Sequence, residues 1–318
     1  MKKILLFLFI TAIVYGQKNT AKEVDSVFYY IKLADFYKGK NNYKSSLASS
    51  QSAIKFASKT NNPTNKALAY SSLGTSYFEL KKIADAKVAF QKSIAELSKE
   101  PISTNLALNY YKLGLCHMSL EEYPKAETYF NKAQEIYDEL KIENQELIDL
   151  QKGILYRTKG KITQANTLFN SIISKPDEQD IFKSKAEALY QLARIEMQNN
   201  RNNLAINYLT KAMELSTKNK NFELKSKVAK SLSEVYEKMI DINNSFKYIK
   251  QHIRIRDSIK EIINKRVGTE DFLSFKQAEQ LKSIDQMNRE NKEQQRANKF
   301  SKLISILSIA LISILSLL

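Results

Sequence analysis

Cysteine, glycine and proline are scarce in this 318-residue chain, at one, seven and four residues, and there are only two histidines. A single cysteine cannot close an internal disulfide, so the fold must be held by packing. Few glycines and prolines argue against a chain of many tight turns. The breaks that do occur are rich in asparagine, as in "GKNNYK", "KTNNPTNK" and "QNNRNN", which points to long helices joined by short polar turns. Enzyme signatures are missing as well: there is no Gly-rich phosphate loop, no G-x-S-x-G, no H-E-x-x-H and no carboxylate pair that stands apart from ordinary solvated helix faces. The expectation is a non-enzyme without catalytic residues, metal or cofactor. At 43% hydrophobic and 26% charged residues, the chain has the apolar content for a substantial core and is not of disordered composition.

Both ends are apolar. "MKKILLFLFITAIVYGQ" has two lysines, an uncharged and mainly apolar run from Ile4 to Val14, and Gly16 as a small residue, the form of a secretory signal peptide over residues 1–16. An uncleaved anchor is the alternative. At the other end, residues 300–318 read as a transmembrane helix, with the 16 residues Leu303 to Leu318 carrying no charge. That run spans about 24 Å as a helix, against a hydrocarbon core of about 30 Å. Arg296, Lys299 and Lys302 lie on what would be the exported side, against the positive-inside expectation. A cytoplasmic portion following Leu318 would resolve that conflict; a tail anchor is the other reading.

Between the ends lies a repeat. "YYKLGLCHMSLEEYPKAETYFNKAQ" from Tyr110 superposes on "YSSLGTSYFELKKIADAKVAFQKSI" from Tyr70 with a shift of 40 residues. Continuing that step gives six small anchors, Ala34, Gly74, Gly114, Gly153, Ala193 and Ser233. Three residues after each anchor stand Tyr37, Tyr77, His117, Tyr156, Glu196 and Tyr236. Twelve after it are Ser46, Ala86, Ala126, Ala165, Ala205 and Ser245, and sixteen after it are Ser50, Phe90, Phe130, Phe169, Leu209 and Ile249. Small residues let antiparallel helices approach closely while the large columns fill the seam. The fourth copy departs most, with Asp149 and Lys152 at positions that are mostly apolar elsewhere.

These columns resemble the tetratricopeptide repeat (TPR), over about residues 25–257. The resemblance implies an all-α superhelical solenoid of six helix pairs, followed here by a charged juxtamembrane helix over 258–299 and the span at 300–318. It also implies that the first helices line a concave surface and that ligand contacts fall three before, one after and four after each anchor. In this chain those are Ile31, Asp35, Lys38; Ser71, Thr75, Phe78; Tyr111, Leu115, Met118; Leu150, Ile154, Arg157; Tyr190, Arg194, Met197; and Lys230, Glu234, Glu237. The ligand groove is assigned to Phe78, Tyr111, Leu115, Met118, Leu150, Ile154, Arg157, Tyr190, Arg194 and Met197. Tyr, Met and Arg at such places suit an apolar peptide or helix with an acidic group for Arg157 or Arg194. The alternative is that the longer repeats turn these residues inward as core. The Lys and Asn carboxylate clamp of the chaperone-tail-binding members is not recognisable.

Cys116 and His117 invite a metal or nucleophile reading. Adjacent residues on a helix point about 100° apart, no second cysteine exists, and His117 occupies the tyrosine column, so both read as packing. His252, in "YIKQHIRIRDSI", lies inside the sixth repeat and reads the same way. The net charge of +16 places +2 in the signal peptide, +2 in residues 257–302 and the rest on the repeats. Such a surplus attracts acidic partners; nucleic acid is not expected, because the aromatic residues among the lysines already serve as repeat columns and export removes nucleic acid from reach.

After the repeats, Phe275, Ala278, Leu281, Ile284 and Met287 recur every three residues. That spacing does not fix a coiled-coil seam, although the helix offers a surface for a homodimer. Signal peptide, array, a last repeat ending in "RDSI", a charged helix and a span form an order similar to the sensory half of bacterial TPR sensor histidine kinases and of related membrane regulators. The expectation is an exported, inner-membrane-anchored module that binds a protein or peptide and signals. An envelope scaffold is the alternative.

Overall fold

The computed structural model describes residues 24–60, 62–142, 145–176 and 181–261, and all the regular structure among them is helical. The expected signal peptide, the span at 300–318 and nearly all of the linker at 258–299 lie outside the described residues. Helix α1 covers 24–39. It is followed by α2 (Tyr43–Ala57), α3 (Pro63–Glu79), α4 (Ile83–Leu97), α5 (Thr104–Ser119), α6 (Tyr123–Glu139), α7 (Glu146–Thr158), α8 (Ile162–Ser174), α9 (Phe182–Gln198), α10 (Asn202–Lys218) and α11 (Phe222–Lys238). A twelfth helix, α12, covers 242–261 and so continues through residue 257. The described residues belong to one compact unit ending at Glu261. Each odd helix packs on the even helix that follows, and α3, α5, α7, α9 and α11 lie side by side in that order.

The helix starts follow from local chemistry. Asn42, Asn62, Ser103 and Asn221 each accept a backbone N–H three residues on, at 3.0, 3.1, 3.4 and 3.1 Å, satisfying donors that a helix leaves open at its first turn. Pro63 and Pro124 sit in first turns, where a missing N–H breaks no helical bond.

The turn inside every helix pair has one geometry. Its middle residue is left-handed: Asn41, Lys81, Glu121, Gly160, Asn200 and Ile240, with φ between 56° and 73°. The next residue's N–H returns to the carbonyl of the column three after the anchor: Asn42 to Tyr37, Lys82 to Tyr77, Glu122 to His117, Lys161 to Tyr156, Arg201 to Glu196 and Asp241 to Tyr236, all within 2.8–2.9 Å. This Schellman closure satisfies the last carbonyls of the first helix and brings the side chains of the two columns together. Where tyrosine is replaced, the partner compensates. His117 Nδ1 pairs with Glu122, and Glu196 pairs with Arg201 at 3.4 Å. The His117 ring, buried, also stacks on Tyr129 at 5.1 Å.

The anchors meet the aromatic column across each pair. A Cβ at Gly74 would lie 2.6 Å from the Phe90 ring, at Gly114 2.6 Å from Phe130, and at Gly153 2.5 Å from Phe169. Those separations are below van der Waals contact, so glycine is what allows these rings between the helices. All three rings are fully buried, each contributing about 1.5–3 kcal/mol of hydrophobic stabilisation. In the fifth pair Ala193 faces the smaller Leu209, both at 0% exposure, so a methyl is gained as the opposing side chain shrinks. The fourth pair, with α7 and α8 at 13 residues each, keeps its Gly–Phe contact. Its odd residues are accommodated at the joint with α6: Lys152 donates to Gln134 at 2.6 Å, and burial raises the Asp149 carboxyl above the usual range.

Candidate functional site

The stripe three before, one after and four after each anchor runs along the first helices, and its character changes from end to end. In the first pair, Lys38 is bonded to Asp35 at 2.7 Å and Ile31 packs against the cluster of Val27, Tyr30 and Ala53. In the second, Ser71 is buried, Thr75 donates to the Ser71 carbonyl at 2.8 Å, and Phe78 packs on the Phe90 cluster. Tyr111, Leu115 and Met118 pack against Phe130, Ile148 and Leu155, filling the joint between α5 and α7. Burial and the neighbouring Tyr137 push the Tyr111 phenol up to about 12. Leu150 is 5% exposed and joins the Phe169 cluster, with Ile154 packed against it. These middle residues therefore serve as contacts between neighbouring first helices.

The wall opens at the C-terminal end. A cleft of about 630 Å³ lies between α9 and α11, lined by Tyr190, Arg194 and Met197 from one side and by Lys230 and Glu234 from the other. Lys230 and Glu234 stand 3.6 Å apart on one helix face. Glu237, also on the stripe, is exposed but outside the cleft lining. Glu187, Gln191, Gln198, Lys227, Ser231 and Lys238 complete the lining. They fall six before, two before and five after the anchors, columns that the stripe left out. A gap between two parallel helices exposes the flank of each, which is why a single stripe underestimates it.

Charge on this wall is unevenly matched. Arg157 on α7 lies within electrostatic reach of Arg194 and Tyr190; burial first, then Arg194, lowers its guanidinium below the usual value. Its Nε is buried without a partner, and neither arginine forms an ion pair among the described residues. Gln191 donates to Glu187 at 2.8 Å while its own carbonyl oxygen is buried and unsatisfied. Further along, Lys112 on α5 reaches back to α3, donating to Ser71 Oγ at 3.2 Å and Thr75 Oγ1 at 3.0 Å. Its ammonium also sits over the Phe90 ring, 5.6 Å from the centroid. Lys112 escaped the sequence reading because it, too, stands two before its anchor.

The two features that first suggested chemistry are absorbed by packing. Cys116 is a free, buried thiol, pushed up to about 12 by burial, which removes the thiolate needed for attack or metal binding. The Nδ1 of His252 donates to the Ser226 carbonyl, at 2.9 Å, tying α12 to α11. Among the described residues, no group of three His, Cys, Asp or Glu side chains is placed to hold a metal ion, and no helix is long and apolar enough to cross a membrane.

Paired helices, a fixed left-handed turn and small-residue seams define a TPR-like helical solenoid. The tetratricopeptide repeat model matches residues 107–139 and 186–219, the third and fifth pairs. No curated protein sequence matches the chain. Among solved structures, the apo quorum sensor NprR from B. thuringiensis is similar at a TM-score of 0.63 and 16% identity, over 83% of this chain and 76% of that one. The apo form of RapI is similar at 0.60 and 16%, over 79% and 92%. The Rap conjugation gene regulator of plasmid pLS20, solved with the Phr* peptide, is similar at 0.57 and 18%, over 77% and 78%. At these identities the likeness concerns the fold.

Proposed function

We propose that this chain is a non-enzymatic TPR module that captures a peptide, or an exposed segment of a protein, on the wall formed by its first helices. The observation that carries this reading is the cleft between α9 and α11. It offers an aromatic ring, a methionine and an unpaired arginine within one concave surface of peptide-segment size, the mixture that anchors extended chains. That a TPR-like neighbour was solved with a peptide bound supports the same use of the fold here. The signal-peptide form of the N-terminus and the apolar C-terminus extend the proposal: the module is exported, held at the inner membrane, and serves as the sensory part of a signalling protein.

Capture is tested by panning the purified full chain against a displayed random peptide library and measuring selected peptides by fluorescence anisotropy. Arg194→Glu and Tyr190→Ala are expected to weaken selected peptides at least tenfold with helicity unchanged. Equal binding by both variants would remove the cleft as the site. Export is tested separately by fusing alkaline phosphatase after residue 261; an inactive fusion in cells that make it in full would reject that part.

A further inference from the structure

Three of the cations on the inner wall, Arg157, Arg194 and Lys112, form no ion pair among the described residues, although carboxylates are used elsewhere: Lys159 pairs with Glu127 at 2.6 Å, Lys175 with Glu146, and Lys38 with Asp35. Two of the three, Arg157 and Arg194, share the α7–α9 joint and repel one another. The third, Lys112, is held by neutral oxygens. Thr75 spends its hydroxyl proton on the Ser71 carbonyl, leaving its lone pairs to the ammonium, so two of the three N–H donors are engaged and one remains. Burial, and then the Lys38 charge, lower the Lys112 ammonium to about 8, with Asp35 acting in the opposite direction. Half-buried cations without an ion-pair partner are unfavourable in the free protein, and a carboxylate brought by a ligand relieves both the desolvation and the like-charge repulsion.

The register sets the distance between the two cationic places. Lys112 stands two before its anchor and Arg157 four after its own, six helical positions apart on neighbouring first helices. With about 9 Å along the axis, and two interaxial spacings of about 9 Å between the α3–α5 joint that holds the Lys112 ammonium and the α7–α9 joint that holds Arg157, the two charged ends are about 20 Å apart. An extended chain advances about 3.3 Å per residue, so that gap corresponds to about six residues.

We infer that the groove selects an extended peptide bearing two carboxylates about six residues apart, one taken by Arg157 and Arg194 and the other by Lys112 together with the Ser71 and Thr75 hydroxyls. This rests on the reading of the wall as a peptide site and adds the chemistry of its ligand.

The test uses the full chain and pooled fluorescent decapeptides with random apolar residues at all but two positions. One pool has glutamates six apart, a second has them adjacent, and a third has glutamines six apart. The six-apart glutamate pool is expected to bind about tenfold tighter than either other pool. That preference over the adjacent pool is expected to disappear in Lys112→Met, to persist in Lys112→Arg, and in the wild type to fade as pH rises above about 8. Asp35 and Lys38 on α1 and the hydroxyls on α3 are the charged and polar groups facing Lys112 through that titration. Equal binding of all three pools, or an undiminished preference in Lys112→Met, overturns the inference. It leaves the peptide site standing if Tyr190→Ala still weakens binding. Failure of every pool, with library-selected peptides also insensitive to Tyr190→Ala, overturns both.

Discussion

The second to fourth helix pairs and the first pair occupy equivalent positions in the repeat yet fill the seam in opposite ways. In α3 to α8 a glycine faces a phenylalanine, and the ring lies where a Cβ would be. In α1 and α2 the same columns hold Ala34 and Ser50. There the space beside α3 is closed by hydroxyls: Ser46 donates to the Ala34 carbonyl at 2.9 Å, and Ser46, Ser50, Ser72 and Ser76 link to one another at 2.8–3.0 Å. One backbone spacing is thus compatible with a dry aromatic seam and with a hydrogen-bonded one. Burial drives the former, whereas the latter holds only while every hydroxyl has a partner.

Substitutions can break this contrast. The largest effect is expected from Phe130→Ala, a loss of about 3–5 kcal/mol in denaturant unfolding, because a fully buried ring leaves a cavity. Gly114→Ala comes next: the new methyl meets Phe130 at 2.6 Å, and overpacking of about 1–3 kcal/mol exceeds the helix-propensity gain of about 1 kcal/mol. Lys112→Met probes the place where the two kinds of seam meet. Its folded value of about 8 lies below the ordinary 10.5, so the unfolded chain holds the proton more tightly and wild-type stability rises with pH from about 8 to about 10.5. The variant should lack that rise and be more stable than wild type by about 1–2 kcal/mol at pH 7, the advantage vanishing near pH 10.5. Ser50→Ala should cost about 1 kcal/mol by leaving hydroxyls of its neighbours short of partners. Smallest is a gain: Ile240 is 82% exposed with φ 61°, a poor conformation for a β-branched residue, so Ile240→Gly should raise stability by about 1 kcal/mol.

The contrast also explains what could be read in advance. Gly74, Gly114 and Gly153 with their phenylalanines make the period visible, since a ring at that place leaves no room for a Cβ opposite it. The pairing of the first and last copies was legible mainly by counting 40 residues, because alanine and serine are common everywhere. The left-handed turn was hidden. Glycine, its usual mark, occurs at that position only as Gly160, and Asn, Lys, Glu and Ile take the others. Similarly, His117 and Glu196 look like breaks in the tyrosine column until the turn brings Glu122 and Arg201 beside them. Of the groove residues, Tyr190, Arg194 and Met197 converge on an open cleft, while Tyr111, Leu115, Met118 and Leu150 are occupied with neighbouring helices. A count from the anchor fixes which way a side chain points but not whether the adjacent helix has already covered it.

The link between α10 and α11 is only Asn219 to Asn221, with Lys220 left-handed at φ 56° and the Asn221 N–H returning to the Ser216 carbonyl at 2.9 Å. It copies the turn found inside each pair, although it joins two different pairs. Both banks of the cleft are therefore hinged to α10 through the same stiff three-residue corner, once at 199–201 and once at 219–221. If the cleft takes the proposed peptide, that guest meets a mould already set to size, and little of its binding energy is diverted into shaping the host.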